Sequence, residues 1–286
     1  MGHRNCSGRR VLTLAADTEA DRSDDGAIRT ERDGAILRIT LDRPSRRNAL
    51  SHTMIDTLVS TLSAAAYDDS LRAIGITGAG AHFCAGADWV ATNAGATRPR
   101  TGDLVRRIPH TAHRVIELIA GIQLPVVATV RGWATGLGAN LALAADFTVA
   151  ADTATLWEPF IERGFGPDSG ATWLLPRLVG VARARRMLLL GERVDGTTAA
   201  DWGLIHDHAP EAELDVRADA LLHRLAGGPT VALGLTKAAL AFGADAPLSA
   251  SLDRELSNLE LACRTADFKE GLAAFRERRA PDFTGR

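Results

Sequence analysis

The sequence predicts an α/β protein, with a parallel α/β core followed by a helical C-terminal region. Short apolar runs typical of strands alternate with helical apolar patterns in the first part of the chain. Two of these runs lead through small residues into a helical pattern. From about residue 182 onward the pattern is helical. Strand and helix alternating at this spacing indicate a parallel arrangement.

The composition restricts the class of protein. With 286 residues and 46% hydrophobic content, the chain can bury a large core. A formal net charge of -2 argues against nucleic acid as the main partner. The three cysteines form no C-x-x-C pair, which fits a reducing cytoplasm better than a disulfide scaffold. No apolar stretch is long enough to cross a bilayer, so no membrane partner is expected.

The N-terminal half predicts strands and helices in alternation. Residues 35–41 alternate apolar and polar side chains, as a half-buried strand does. Ser51 is placed to cap a helix that runs to about Ala66. The further predictions are a strand over 71–77, a helix over 104–122, a strand over 124–130 and a strand over 147–150.

The C-terminal part predicts a series of helices with Gly- and Pro-containing breaks. The helical ranges are 182–190, 198–203, 213–225, 230–242, 249–264 and 268–279. Two glycines and a proline at 227–229 separate the last three helices from the others. We therefore expect a disordered N-terminal leader over residues 1–26, a core over residues 27–226 and a helical region over residues 227–286.

Two segments of small residues carry the clearest functional signal. Residues 83–88 (FCAGAD) and 132–140 (GWATGLGAN) each stand where an extended apolar run gives way to a helical pattern. Such a junction leaves backbone N–H groups without intrahelical partners, and small residues let a ligand approach them. Two junctions facing each other would form a two-donor oxyanion hole, so the sequence predicts chemistry at a carbonyl group. Taken alone, the first segment is more typical of a tight turn with Cys84 as a small buried residue.

The order and spacing of several motifs resemble the crotonase, or enoyl-CoA hydratase/isomerase, superfamily from about residue 34 to residue 283. The resemblance implies a crotonase-like spiral of ββα units, a helical C-terminal region used in oligomerisation, and acyl-CoA thioester substrates. It also implies a homotrimer or hexamer, with no cofactor beyond the coenzyme A of the substrate. The matching segments are 41–44 (LDRP), 47–50 (RNAL), 83–88, 130–146, 164–168, 175–180, 200–204, 269–271 (KEG) and 275–279 (FRERR).

The resemblance also implies positions for the site residues. By matching position, the oxyanion N–H groups fall on Ala87 and Leu137. The two glutamates that activate water in the family's hydratases fall on Asn140 and Phe160, and neither side chain titrates near neutral pH. Hydration by that carboxylate pair is therefore not available to this sequence. The full set of positions expected to contact the substrate or its CoA moiety is Arg43, Arg47, Ala49, Ala85, Gly86, Asp88, Trp89, Gly136, Asn140, Phe160 and Arg278.

A carboxylate does appear at Asp168, a position similar to that of the single catalytic acid in the family's Δ3,Δ2-enoyl-CoA isomerases. The surrounding string 167–177 (PDSGATWLLPR) looks most like the ring-opening epoxyphenylacetyl-CoA isomerases. One base can take a proton from the α-carbon and return it to the γ-carbon, while two N–H groups stabilise the dienolate oxygen. Four aromatic side chains close in sequence are expected to build an apolar pocket for this acid: Trp157, Phe160, Phe165 and Trp173.

Other interpretations of the acidic residues stay open. Asp168 could form an Asx turn or cap a helix, because Pro-Asp-Ser-Gly is good turn chemistry. Glu158 and Glu162 are reserve carboxylates whose spacing is more typical of a solvated face or of an ion pair with Arg163. Besides an isomerase, the sequence allows an enoyl-CoA hydratase that uses Asp168 or Glu162 alone. It also allows an acyl-CoA-binding protein that has lost catalysis.

The remaining charged residues and histidines have weaker signals. Arg43, Arg47 and Arg278 lie in segments where family members meet the CoA phosphates, and the arginine fork suits phosphate. Asp88 is expected to cap a helix that begins at Trp89. Two histidine pairs lack a third ligand, so we expect no metal ion; they are His110 with His113 and His206 with His208.

Overall fold

The computed structural model describes residues 25–88 and 100–286. Its strands are β1 (Ala27–Asp33), β2 (Ile36–Asp42), β3 (Ala73–Gly78), β4 (Val126–Val130), β5 (Trp133–Thr135), β6 (Phe147–Ala151), β7 (Thr155–Trp157), β8 (Val194–Asp195) and β9 (Asp207–Ala209). A six-stranded sheet has the order β1-β2-β3-β4-β6-β9 and is parallel except for the β1–β2 pair. A three-stranded sheet has the order β5-β7-β8. The predicted parallel α/β core is confirmed.

The helices connect these strands and then continue alone to the C-terminus. They are α1 (His52–Ala65), α2 (Asp103–Arg107), α3 (Ala112–Gly121), α4 (Leu137–Leu143), α5 (Ala171–Leu190), α6 (Gly196–Trp202), α7 (Glu211–Ala226), α8 (Thr230–Gly243), α9 (Leu248–Ala262) and α10 (Ala266–Glu277). The predicted cap of α1 is confirmed, because the Ser51 hydroxyl accepts a hydrogen bond from the backbone N–H of Met54.

The core lies on both faces of the larger sheet. All five residues of β4 are buried, as expected of an inner parallel strand covered by helices on both sides. On α1, the apolar positions Met54, Ile55, Leu58 and Leu62 are buried together, which is the spacing of one helical face. Helix α7 packs against β3, β4 and β6.

Three elements differ from the sequence predictions. Strand β1 was not predicted, because it is an edge strand with mostly exposed residues and no apolar alternation. The single helix over 104–122 is wrong: Pro109 lies in a short 3-10 turn between α2 and α3, and Thr111 leaves the helical region. Helix α5 begins well before residue 182, with a bend at Gly180, which adopts φ 73°.

The C-terminal helices begin after the turn at 227–229, where the sequence predicts a boundary. Helix α8 is joined to the core through Lys237, whose Nζ donates to Asp146 Oδ2 at 2.7 Å and to the carbonyl oxygens of Ile119 and Leu124. Helix α9, in contrast, buries no residue. In the described part of the chain no single helix could span a membrane by its length and hydropathy; α7 and α8 together have the composition, but they meet at 104°.

Candidate active site

The two junctions predicted from the sequence lie side by side. Cys84 forms an isolated parallel bridge with Ala134, with its N–H donating to Trp133 O at 2.9 Å and its carbonyl accepting from Thr135 N at 2.9 Å. The next residues turn toward the segment before α1. Leu50 N donates to Gly86 O at 2.8 Å, and Asp88 N donates to Leu50 O at 3.0 Å. The chain therefore holds residues 83–88 between two other backbone segments.

Two backbone N–H groups at these junctions are free to bind a ligand. Leu137 is the first residue of α4, so its N–H has no partner within the helix. Ala87 lies in the bridge to Leu50, with its own N–H turned away from it. Neither N–H donates a hydrogen bond to any residue that the structure describes. The structure thus gives Ala87 and Leu137 the unpaired donors that an oxyanion hole requires.

Glycine is required where the junctions touch. Gly86 adopts φ +94°, and a Cβ there would lie 2.8 Å from Thr135 O and 3.7 Å from Leu137 N. At Gly138 a Cβ would lie 2.4 Å from Cys84 O. Any larger residue would push the two segments apart, so these glycines set the distance between the two junctions.

Asn140 and Phe160 are both buried next to the start of α4. Asn140 Nδ2 donates to Gly136 O at 3.2 Å, while its Oδ1 has no partner among the described residues. The Phe160 ring contacts Gly136, whose Cβ position would lie 3.7 Å from Cζ, and packs edge-on against Phe165. An amide and a phenyl ring thus occupy the two positions at which the family's hydratases are expected to carry glutamates.

Asp168 lines the same cleft as the two junctions. The cleft is lined by Ala85, Gly86, Ala87, Thr135, Gly136, Leu137, Pro159, Phe160, Arg163, Phe165 and Asp168. The alternative of a helix cap is wrong, because α5 is capped at Gly170 without a side-chain hydrogen bond. The Asp168 carboxylate accepts instead from Ser169 Oγ, at 2.5 Å. Asp168 as a residue is partly exposed.

Only two of the four aromatic residues expected around Asp168 line this cleft. Phe160 and Phe165 do so. Trp157 packs against Trp133 and Arg193 and donates its Nε1 hydrogen to Gly191 O, and Trp173 is 46% exposed beneath Arg177. The expected apolar pocket is therefore smaller than the sequence predicts.

The exposure of the Glu158 carboxyl was predicted wrongly from the sequence. It follows β7 and is 0% exposed, whereas a solvated face or an ion pair with Arg163 was expected. Neither of its carboxyl oxygens has a hydrogen-bond partner among the described residues. Burial and the nearby charge of Asp168 hold the pKa of Glu158 well above its ordinary value. The signal was present: Glu158 is a single charge within an apolar stretch, residues 156–161 (LWEPFI).

Arg43 has a different position from that expected of a phosphate-binding residue. Its guanidinium is buried and donates to Asp88 Oδ2 at 2.7 Å and to Ala49 O at 3.1 Å. Asn48 closes the same turn, accepting from Arg43 N and donating to the carbonyl oxygens of Ala79 and His82. The side chain of Asp88 therefore binds Arg43. The helix expected to begin at Trp89 lies outside the described residues.

Arg47 and Arg278 remain the exposed arginines of the predicted CoA set. Arg47 adopts φ 50° and its carbonyl accepts from Ala85 N, which places its backbone next to the first junction. Arg278 is the capping residue that follows α10, and it is not one of the residues that line the cleft. Among the described residues, no group of three or more His, Cys, Asp or Glu side chains could hold a metal ion.

The family of the chain follows from comparison with known proteins. A family model described as enoyl-CoA hydratase/isomerase matches residues 31–286. The chain therefore belongs to the enoyl-CoA hydratase/isomerase family, the crotonase family that its motifs resemble. The structure agrees, since a solved enoyl-CoA hydratase from Polaromonas sp. JS666 superposes with a TM-score of 0.85 at 32% identity, covering 90% of this chain and 100% of that one.

Relatives with assigned names include both reaction types. A 1,2-epoxyphenylacetyl-CoA isomerase from Escherichia coli K12 is 38% identical over 88% of this chain and 95% of its own length. A 2,3-dehydroadipyl-CoA hydratase from the same organism is 36% identical over 88% of this chain and 96% of its own length. The comparisons therefore support an enzyme family acting on acyl-CoA thioesters and leave both isomerase and hydratase chemistry open.

Proposed function

We propose that this protein is an enoyl-CoA isomerase that moves a double bond within an acyl-CoA thioester. One observation carries the proposal: Asp168 lies on the same small cleft as the N–H groups of Ala87 and Leu137. A base and two oxyanion donors on one cleft are the groups that a proton shift next to a thioester carbonyl needs.

The reaction starts from a 3-enoyl-CoA. The Asp168 carboxylate takes a proton from C2, and the C–H electron pair forms a C1–C2 double bond as the carbonyl π pair moves onto the thioester oxygen. Hydrogen bonds from Ala87 and Leu137 stabilise this dienolate oxygen. Asp168 then returns the proton to C4, which yields the 2-enoyl-CoA and restores the carboxylate. No atom is gained or lost, and no co-reactant is needed.

Hydration of 2-enoyl-CoA is the second candidate, and Glu158 favours it. Hydratases need one group to activate water and another to deliver a proton. The sequence offers no such pair at Asn140 and Phe160, but Glu158 and Asp168 are close enough for their charges to interact. Several relatives are also named hydratases or probable hydratases.

A single assay separates these functions. The protein is incubated with 3-enoyl-CoA and, separately, with 2-enoyl-CoA, and thioester absorbance and product mass are followed. An absorbance change from the 3-enoyl substrate without a mass gain supports the isomerase. A gain of one water supports the hydratase, and binding without turnover supports an inactive acyl-CoA-binding protein.

We also infer that the protein assembles as a homotrimer or hexamer. The C-terminal helices expose large apolar side chains that a monomer would leave in water, and a groove runs between α8 and α9. The most exposed of them are Leu240, Leu248, Leu256 and Phe275. Burying such a surface against other copies is the usual solution for a stable oligomer.

A further inference from the structure

A buried carboxyl close to the cleft has no part in the isomerisation described above. Glu158 is 0% exposed and lies directly after β7. The residue before Glu158 is hydrogen-bonded to the turn that precedes α4, because Gly136 N donates to Trp157 O at 2.9 Å. Both oxygens of the Glu158 carboxyl are without a hydrogen-bond partner in the described chain. Buried polar groups in proteins nearly always have a hydrogen-bond partner, so a buried carboxyl without one needs an explanation.

The surroundings of Glu158 favour the neutral acid. An ionised carboxylate buried with neither a cation nor a hydrogen-bond donor costs much more free energy than its protonated form. The charge of Asp168 adds to that cost, and together they hold the pKa of Glu158 well above its ordinary value. Glu158 therefore keeps its proton at a pH where an exposed glutamate has lost it.

Asp168 is the charged group that acts on Glu158. Arg193, next to β8, stacks on the Trp157 ring at 4.4 Å. Arg163 lines the cleft beside Asp168, and the Glu162 carboxylate is turned toward Gly191, where a Cβ would meet its Oε1 at 3.0 Å. None of these side chains offers Glu158 a hydrogen bond.

Resting on the isomerase function proposed above, we propose that Glu158 is a positioning residue that acts through Asp168, holding a proton so that Asp168 has no second negative charge behind it. Binding of the acyl group displaces the water that screens the two carboxyls from each other, which strengthens their repulsion. When Glu158 is neutral, this repulsion is absent. When Glu158 ionises, the repulsion opposes substrate binding, and kcat/KM falls.

The pH profile of kcat/KM for 3-enoyl-CoA tests this role. In the native enzyme, kcat/KM should fall on the alkaline side as Glu158 ionises, at a pH well above the ordinary glutamate range. Glu158→Gln cannot ionise, so its profile should stay flat on the alkaline side. Glu162→Gln is the matched control, because Glu162 is exposed and should keep the alkaline fall. An alkaline fall that persists in Glu158→Gln, or that the native enzyme lacks up to about pH 10, overturns the proposal.

A second measurement does not depend on isomerase activity. The carboxyl resonances of protein labelled with [5-13C]glutamate are titrated by NMR, and Glu158 is assigned as the signal missing from Glu158→Gln. We expect the midpoint of this carboxyl to lie well above the ordinary glutamate value and to fall in Asp168→Asn, where the neighbouring charge is gone. A midpoint near the ordinary value of about 4.3 rejects the proposal. If the protein isomerises nothing, the function proposed above fails while this titration still decides the state of Glu158.

Discussion

The carboxyls of Asp168 and Glu158 have different environments in this protein. Asp168 is partly exposed in the cleft and hydrogen-bonded to Ser169, whereas Glu158 is buried without a partner among the described residues. Environments that separate the protonation of two acids are typical of sites that move protons. The same chemical group can therefore supply a base at one position and a neutral acid at the other.

The free energy of unfolding should depend on the protonation state of Glu158. Its pKa is raised in the folded protein, so the contribution of its proton to stability is complete below the unfolded pKa of about 4.3. That contribution is lost as the pH rises toward the folded pKa. Glu158→Gln has no such loss, so its advantage in unfolding free energy should grow by up to about 1.4 kcal/mol per pH unit across this window.

Urea unfolding of Glu158→Gln and the native protein at several pH values measures this difference. Glu162→Gln serves as the control. Because Glu162 is exposed, the difference in unfolding free energy between this variant and the native protein should not grow with pH. A difference between Glu158→Gln and the native protein that stays constant with pH would mean that Glu158 titrates normally.

Removal of one oxyanion donor should lower turnover. Leu137→Pro deletes the N–H at the first position of α4, where proline fits a helix well, and should reduce kcat by about 10²–10³-fold. Ala87→Gly keeps its N–H and should retain most activity. Steady-state kinetics with 3-enoyl-CoA compares the two. Near-native turnover in a folded Leu137→Pro protein would remove Leu137 from the site.

At the residue scale, the sequence predicted the positions that meet at the cleft better than it predicted burial. The resemblance to the crotonase family implied Ala87, Leu137 and Asp168 by matching position, and the structure brings them to one cleft. Glu158 and Arg43 were misjudged because a charged residue in a sequence is assumed to be exposed. Whether a charge is buried depends on segments far away in the chain, such as the contact of Asp88 with Arg43.

At the scale of elements, the cleft depends on residues 83–88 packed against the strand-to-helix junction at residues 132–140. The sequence predicted that both segments follow apolar strands and lie together, whereas the helix expected after the first of them lies outside the described residues. Local patterns could not predict β1, which pairs at the sheet edge through its backbone while exposing most of its side chains. The break at Pro109 was visible in the sequence, but the apolar periodicity on both sides masked it.

The contact between the junctions should be sensitive to a single methyl group. Gly86→Ala adds a Cβ 2.8 Å from Thr135 O at a positive φ, so it combines backbone strain of about 1–2 kcal/mol with a steric overlap. Gly164→Ala has a similar positive φ but no atom within 4 Å of the new Cβ, so it should show the strain alone. Thermal unfolding compares the variants. Equal losses of stability would mean that the close approach at Gly86 does not matter.

At the scale of the whole molecule, the chain combines a well-buried α/β core with C-terminal helices that are poorly buried. Helix α9 buries no residue, and Leu248, Leu252, Leu256 and Leu259 are all more than half exposed. The sequence predicted these helices with nearly correct bounds, because their periodicity is local. It could not predict their partners, because an apolar helix face has the same pattern whether it packs on its own core or on another copy.

Assembly is testable through this face. The native protein should sediment as three or six chains at micromolar concentration, and Leu256→Asp should shift it toward smaller species by placing a charge in the interface. Tyr67→Asp is the control, since Tyr67 is 90% exposed and is not one of the residues that line the α8–α9 groove. Analytical ultracentrifugation measures the assembly state of the native protein and of both variants. A native protein that is only monomeric would reject the assembly.

The central claim is that Asp168 carries the proton in double-bond isomerisation, and Asp168→Asn tests it most directly. Asparagine keeps the size of the side chain but removes the base, so kcat for 3-enoyl-CoA should fall by about 10²–10⁴-fold. Binding of acyl-CoA and the melting temperature should be retained, and Glu162→Gln should turn over as the native enzyme does. A folded Asp168→Asn protein that isomerises 3-enoyl-CoA at the native rate would contradict the account.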